Sequence, residues 1–433
     1  MSLEELYKIY LQNPYIQTDS RKLRKGELFF ALKGPTFDGN KFTKQVLNKG
    51  ASYAIIDDAN ELIDERTILV EDGLQALQQL ATYHRKQFYD ANDEKGIPFI
   101  GITGSNGKTT TKELIHAVLS TTYKTYTTEG NLNNHIGVPL TLLKIEKNAE
   151  MAVIEMGANH QKEIASYCEI ALPTHGLITN CGKAHLQGFG SEEGVRKGKG
   201  ELFDYLREHD GTAFIMKDYL YLEDMSRSIK EVFTYGTTRG DIVGFVKEID
   251  PLLVVDFKKG FSGTIESKLV GDYNLPNILA AVAVGVYFNV PDEKIRSAIR
   301  DYHPSNSRSQ LLKRLTNTII LDAYNANPSS MKVAIENFAH LKSHHKIVVL
   351  GAMAELGEES VSEHITIIEQ LQKYKWNHVL LVGGDFLKIE HPFISATSAT
   401  EAGEWISHRN FKDNYFLLKG SRTAQIEKVL DYL

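Results

Sequence analysis

The sequence predicts an α/β protein of three domains: a small α/β unit at the N-terminus, a central unit with a mainly parallel sheet, and a Rossmann-like unit at the C-terminus. Three observations predict it. Residues 99 to 120, FIGITGSNGKTTTKELIHAVLS, run from an apolar strand through a glycine-rich turn into Leu114, Ile115, Val118 and Leu119 at helical spacing. A polar connector at residues 90 to 97 precedes Pro98 and suits a domain boundary. From about residue 304, short apolar runs alternate with helical stretches, as in parallel strands joined by right-handed crossovers. The domains so read are 1 to 92, 93 to 303 and 304 to 433.

The 433 residues provide for roughly two to four domains of about 150 residues each. The net charge of −6 comes from 49 basic and 55 acidic residues without long runs of one sign, which argues against nucleic acid as a partner. The N-terminal MSLEELYKIYL carries acids early and lacks a basic leader and an apolar core, so it does not read as a secretion signal. The longest apolar run, Ile278 to Phe288, is too short to span a bilayer, and a cytoplasmic protein is expected. Cys168 and Cys181 cannot form a disulfide framework and have no metal-ligand spacing, so both read as core residues.

In the first unit, strand-like runs (Leu28 to Leu32, Tyr53 to Ile56, Ile68 to Val70) are separated by two polar clusters, TDSR at Thr18 to Arg21 and KGPTFDGNKF at Lys33 to Phe42. An arginine beside a serine, with a Lys-Gly turn on the next strand, offers charge-assisted bonds to a diphosphate and a uracil-type ring. Plain turn chemistry is the competing reading.

The central unit opens with the strand, loop and helix of residues 99 to 120. Gly104 and Gly107 let the loop turn its N–H groups inward, and the helix points its positive end at the same place, so a polyphosphate is the natural guest. In such a P-loop, Lys108 reaches the β and γ phosphates and the Thr109 hydroxyl ligates magnesium. Ile102 stands where the general nucleotide-hydrolase motif has glycine, so TGSNGKT is a variant loop. Glu155 closes the strand-like run from Met151, where ligands collect in doubly wound sheets, and is a candidate magnesium ligand; a solvated strand-end acid is the alternative. GKAHLQGFGS puts His185 in a glycine-rich loop, and VRKGKGELF puts Lys197 and Lys199 at the start of a helix. Taken alone, these three read as surface residues. In GDYNLPNILAAVAVGVYF, Asn274 is placed as N-cap with Pro276 in the first turn. Asn277 on that turn either bonds an adenine edge or faces solvent. In the third unit, Asp322 ends the run Thr318 to Leu321, from where a carboxylate can hold a ribose hydroxyl, and the last run ends in KGSR, Lys419 to Arg422.

Read together, TDSR, FALKGPTFDGNKF, TGSNGKTTTKE, EGNLNNHIGVPLT, IEMGA, HLQGFGS, KGKGE, GDYNLPN, DAYNANPSSM and KGSR resemble, in this order, the Mur ligases. The resemblance runs from Thr18 to Arg422. TGSNGKT alone indicates only the superfamily that includes folylpolyglutamate synthases. DAYNANPSSM and KGSR with the N-terminal pattern point to the branch that joins D-alanyl-D-alanine to UDP-N-acetylmuramoyl tripeptide with ATP and Mg2+. An amino acid ligase of the same superfamily and a non-ligating P-loop ATPase switch are the alternatives.

The resemblance implies an N-terminal domain for the UDP sugar, a central ATPase, and a C-terminal domain that helps bind ATP and the incoming amine; a monomer is expected. It implies that Gly104, Ser105, Asn106, Gly107, Lys108, Thr109 and Thr110 hold the triphosphate, with catalytic roles for Lys108, His185 and Lys199. Glu155, His185 and Thr109 join the metal. Asn277 meets adenine, and Arg308, Asp322, Tyr324 and Asn325 approach the nucleotide from the third domain. Ser20, Arg21 and Lys33 lie in the UDP-binding segments, and Asn133 and Asn134 near the muramoyl peptide. Lys199 aligns with a lysine that related ligases carry as a carbamate, an anionic oxygen ligand of the kind magnesium prefers; Lys197 competes for that role. Three positions depart from the family pattern: Asn40 for His, Ser307 for Gly and Ala352 for Asp.

Overall fold

Four parallel strands, Ile16–Gln17, Leu28–Phe30, Tyr53–Ile56 and Thr67–Leu69, form the first sheet in sequence order. The structure is a computed structural model that describes residues 1 to 89, 96 to 305, 307 to 343 and 345 to 433. The boundary expected at 92/93, with most of the polar connector, therefore lies outside the described residues. The first sheet is closed by the helix Gly73–Lys86, which starts where Asp72 accepts from the Gln75 N–H.

The central sheet is built around Phe99–Thr103 and Met151–Glu155, whose residues are buried throughout, as suits strands covered on both faces. From edge to edge its strands are Thr125–Thr127, Met151–Glu155, Phe99–Thr103, His175–Ile178, Thr212–Met216, Glu231–Gly236 and Ile242–Ile249, all parallel. Leu252–Lys259 and Thr264–Val270 then continue it antiparallel. That edge meander did not stand out in the sequence.

The third sheet runs Gln310–Arg314, Asn317–Asp322, Tyr415–Lys419, Lys346–Gly351, His378–Val382 and Ile394–Ala396, parallel except for the first pair. The α/β class and parallel alternation read from the sequence are those of the molecule. Asp322 and Lys419 fall opposite each other at the carboxyl ends of adjacent strands.

The first two units do not keep wholly separate cores: Leu77, Leu80 and Ala81 of the helix Gly73–Lys86 share one apolar cluster with Phe99, Ile164 and Ala171. Arg85, fully buried, seals this junction by donating to the carbonyls of Ala171 (3.1 Å) and Leu172 (3.0 Å), the C-terminal end of the helix Glu163–Ala171. Its guanidinium lies 3.7 Å from the Phe99 ring centroid. The third sheet packs an apolar cluster on each of its two faces, and one of them also takes in Val270 of the central sheet. Asn274 occupies the expected N-cap position of the helix Leu275–Tyr287, but in a helical conformation and without a side-chain capping bond; its amide donates instead to the Val270 carbonyl at 2.8 Å. Among the described residues no helix is long and apolar enough to cross a membrane.

Candidate active site

The glycine-rich loop is held from behind. Gly104 and Gly107 have φ of 142° and 80°, and a Cβ on either would strike Thr179 Oγ1 (2.0 Å) or Asn277 Oδ1 (2.6 Å). Ser105 N–H donates to the Asn180 carbonyl at 2.8 Å and Asn106 N–H to Asn180 Oδ1 at 3.1 Å. These two N–H groups are thus spent on the neighbouring strand's end and do not face inward as expected. The anion-binding capacity falls to the start of the helix Lys108–Leu119, which carries no side-chain cap, so the N–H groups of the turn through Thr109 and Thr110 have no partner within the helix. Lys108 is half-buried and folds its ammonium over the loop, donating to the carbonyls of Gly104 (2.7 Å) and Ser105 (3.2 Å). Burial pushes its pKa down, Glu155 opposes the shift, and Arg308 of the third unit adds to it.

One helix residue and one strand-end residue meet beside the loop. Thr109 Oγ1 donates to Glu155 Oε1 at 3.2 Å, and Asn133 Nδ2 donates to the same oxygen at 2.8 Å. Glu155 is buried, so the alternative of a solvated strand-end acid is corrected, and its Oε2 has no hydrogen-bond partner. A hydroxyl, an amide and an unclaimed carboxylate oxygen form a hard donor set that fits magnesium. Among the described residues no group of three His, Cys, Asp or Glu stands together to hold a metal. Asn134 turns the other way: its Oδ1 accepts from the N–H groups of Ile136 (3.2 Å) and Gly137 (2.8 Å) and shapes the turn into the helix Gly137–Leu142.

Lys199 and Lys197 part company. Lys197 is exposed, whereas Lys199 is fully buried on the helix Glu192–Glu208, donating to the Ala158 carbonyl at 2.9 Å. Ala158 is three residues beyond Glu155. Burial first, and then the Lys108 ammonium, bring the Lys199 pKa down to about 7. An amine that is partly neutral at physiological pH is the form that can react with CO2.

Asn277 faces neither solvent nor an open cleft. It is buried beneath Gly107, accepts from Thr111 Oγ1 at 3.0 Å and donates to Asn274 Oδ1 at 2.9 Å, so it supports the loop. His185 has a left-handed φ of 53°, and its Nδ1 contacts the carboxylate of Glu355, itself at φ 62° on the third unit. Two non-glycine residues in this uncommon conformation meet across the cleft.

More contacts cross the same cleft. Asn327 Nδ2 donates to Asn106 Oδ1 at 2.8 Å, Lys183 Nζ to Glu363 at 2.8 Å, and Lys183 N–H to Ser329 Oγ at 3.1 Å. Arg308 lies 3.7 Å over the half-buried Tyr324 ring, with its Nε buried and unbonded, and Arg422 approaches the same ring. Asp322 Oδ2 accepts from the buried Lys419 at 2.5 Å. Asn325 is exposed and bonds the Ala326 N–H.

In the first unit the candidate residues bond locally. Arg21 is exposed and pairs with Asp19 at 2.8 Å, holding that carboxyl at about 2. Ser20 is buried, and its carbonyl accepts from Lys49. Lys33 pairs with Asp57 at 2.8 Å. Asn40, in place of the family's His, is wholly buried and donates to Asp38 and Asp57, both at 2.8 Å, while its Oδ1 accepts the Asp57 N–H. At this position the chain carries an internal brace.

Sequence reasoning missed Lys112, Asn180, Lys183, Asn327 and Glu355. Lys112, four residues from Lys108 and so on the same helix face, had a local signal, and Asn327 and Lys183 lie in quoted motifs, but their roles depend on their partners. The others act through partners distant in the chain.

Comparison with known proteins gives three matching family models: "Mur ligase family, catalytic domain" over residues 15–85, "Mur ligase middle domain" over 102–285, and "Mur ligase, glutamate ligase domain" over 307–421. The sequence is 34% identical to the UDP-N-acetylmuramoyl-tripeptide--D-alanyl-D-alanine ligase of Bacillus subtilis, covering 99% of this chain and 96% of the relative. The fold matches a crystal structure of MurF from Acinetobacter baumannii with a TM-score of 0.88 and 29% identity, over 99% of this chain and 98% of that one. It also matches MurF ligase from Thermotoga maritima in complex with ADP, with a TM-score of 0.86 and 27% identity, over 98% and 97% of the two chains.

Proposed function

This chain belongs to the Mur ligase family, and on that premise we propose that it joins D-alanyl-D-alanine to the peptide of UDP-N-acetylmuramoyl tripeptide, with ATP converted to ADP and phosphate. The product is the UDP-muramoyl pentapeptide used in peptidoglycan synthesis. The observation that carries this reading is the meeting of Thr109, Glu155 and Asn133 beside Lys108 at the carboxyl end of the central sheet, with Arg308 of the third unit near Lys108 and with Asn327 and Glu355 of that unit touching Asn106 and His185.

A carboxylate is a poor acyl donor, because its charge repels nucleophiles and its leaving group would be oxide. Phosphorylation overcomes this: the tripeptide's terminal carboxylate oxygen attacks the γ-phosphorus, the bond to the β–γ bridging oxygen breaks, and ADP departs. Lys108 and the first turn of its helix bind the phosphates and offset the charge that spreads over the transferred group. Magnesium, when bound, supplies further positive charge there, and Thr109 and Glu155 are the residues that would hold it, with His185 and Lys199 as further candidates. For Lys199, burial and a near-neutral pKa support carbamate formation, in which Nζ bonds the carbon of CO2 and loses a proton. The amine of D-alanyl-D-alanine then attacks the acyl carbon, and phosphate leaves. Contacts of Asn327, Ser329 and Glu363 with the central unit support closure of the third unit over the reacting groups, which keeps water from the acyl phosphate.

Residues 1 to 92 are assigned to the UDP sugar, 93 to 303 to ATP and 304 to 433 to the nucleotide and the incoming amine. We assign Ser20, Arg21 and Lys33 to the UDP moiety, with Asn133 near the muramoyl peptide, and read the protein as a cytoplasmic monomer.

The test is mass analysis of the product formed from ATP, UDP-N-acetylmuramoyl tripeptide and D-alanyl-D-alanine. The expected product is the pentapeptide; unchanged tripeptide from a folded, ATP-binding preparation refutes the assignment. ADP release that depends on D-alanyl-D-alanine, and not on diaminopimelate, lysine or glutamate, separates it from single-amino-acid ligases.

A further inference from the structure

Glu155 is only 1% exposed and leaves one oxygen without a hydrogen bond, and an uncompensated carboxylate is costly in such a buried place. Its Oε1 takes hydrogen bonds from Thr109 and Asn133, neither of which carries charge. Besides Lys108, whose ammonium also feels this carboxylate, a second cation stands close: Lys112, only 2% exposed, has its Nζ 4.0 Å from Oε2. Lys112 is restrained from coming closer, because its ammonium donates to the Thr128 carbonyl at 2.6 Å. Thr128 is fixed in turn: its Oγ1 accepts the N–H of Glu155 itself at 2.9 Å, and its own N–H bonds Val153. The other acid facing Lys112 is Glu113, 3.9 Å away, whose far oxygen is held by the Tyr302 hydroxyl at 2.5 Å.

We propose that Lys112 is the positioning residue for Glu155. Thr128 holds its ammonium at a distance that offsets the carboxylate's charge without occupying the lone pairs of Oε2. That oxygen is thereby left without a hydrogen bond, on a carboxylate whose other oxygen touches Thr109 at the start of the phosphate-loop helix. A cation within hydrogen-bonding reach would satisfy Oε2 and blunt it as a ligand; a neutral residue would remove the buried countercharge beside Oε2. Lys112 and Thr128 thus act on Glu155 from its side chain and its backbone together. The inference rests on Glu155 as a ligand for the nucleotide's magnesium.

The test measures binding rather than turnover: calorimetric titration of ADP, with and without Mg2+, into the full chain and its K112M, E155Q and K112M/E155Q variants. K112M is expected to weaken the Mg2+-dependent part of binding about 10- to 100-fold, the usual effect of losing a residue that orients a metal ligand. Binding of ADP without Mg2+ is expected to stay within about twofold, and the double variant to bind no more weakly than E155Q. Additive losses in the double variant, or a K112M that matches wild type while E155Q does not, overturn the proposal and leave Glu155 as a ligand. An E155Q that binds like wild type removes Glu155 itself and the proposal with it. Thermal melting covers a poorly folding K112M: the double variant, lacking both charges, is expected to melt higher, and one that melts no higher overturns the pairing.

Discussion

Asn327 donates its side-chain amide to Asn106 Oδ1 at 2.8 Å, tying the residue that caps the helix Pro328–His340 to the loop that precedes Lys108. The same Asn327 accepts the Ser330 N–H, so one amide both starts a helix of the third unit and touches the phosphate loop of the second. A movement that draws the third unit away from the loop must break this bond.

Asn106→Ala removes the bridge without disturbing the Asn327 cap. One lost hydrogen bond of this kind corresponds to about 0.5–1.5 kcal/mol, or roughly a 2- to 13-fold drop in kcat/KM for ATP. Asn327→Asp, which keeps the capping oxygen, should give a similar drop, and the two together little more than either. Steady-state kinetics with ATP varied checks this; independent, additive losses would show that the two amides do not act through each other.

Lys199→Met is expected to lower turnover on the order of 100-fold or more, since it removes the buried amine that supplies an anionic ligand, whereas exposed Lys197→Met should stay within about twofold. Intact-protein mass spectrometry under bicarbonate should detect one added CO2 in wild type and in the Lys197 variant but not in the Lys199 variant.

Burial alone would raise the Asp57 pKa, but Lys33, the Gly73 N–H and Asn40 together hold it below the usual carboxylate range. A carboxyl with a depressed folded pKa stabilises the fold fully above the unfolded value of about 3.9, and that contribution is lost as pH falls through the folded value. Asp57→Asn should therefore melt below wild type at pH 7, and the gap should narrow as the pH drops below about 4. A gap that stays constant in melting experiments across this range would exclude the ionic explanation.

Arg85 couples the first unit to the second. Burial brings its pKa down to about 10, so it remains charged at neutral pH while bonding two helix-end carbonyls. Arg85→Met leaves those carbonyls unpaired, at about 1–3 kcal/mol each, and should lower the melting temperature by several degrees. Activity per folded molecule at low temperature should be retained, because no candidate active-site residue bonds to Arg85. Scanning calorimetry with an activity assay below the transition tests both halves.

The sequence by itself determined the α/β class, the strand, loop and helix around Lys108, the strand-end placement of Glu155 and Asp322, and the family. These are local properties: apolar periodicity selects strand or helix, glycine permits the turn, and a strand's last residue is legible from where its apolar run stops. Only the tertiary structure decided which of two nearby lysines is buried, that Asn277 braces the loop from behind, that Asn40 serves as an internal brace, and that Lys112 faces Glu155 across a gap held open by Thr128. The physical reason is that burial and charge balance belong to the space between elements. Asn106 and Asn327 are 221 residues apart in the chain, and nothing in the composition around either one specifies the other.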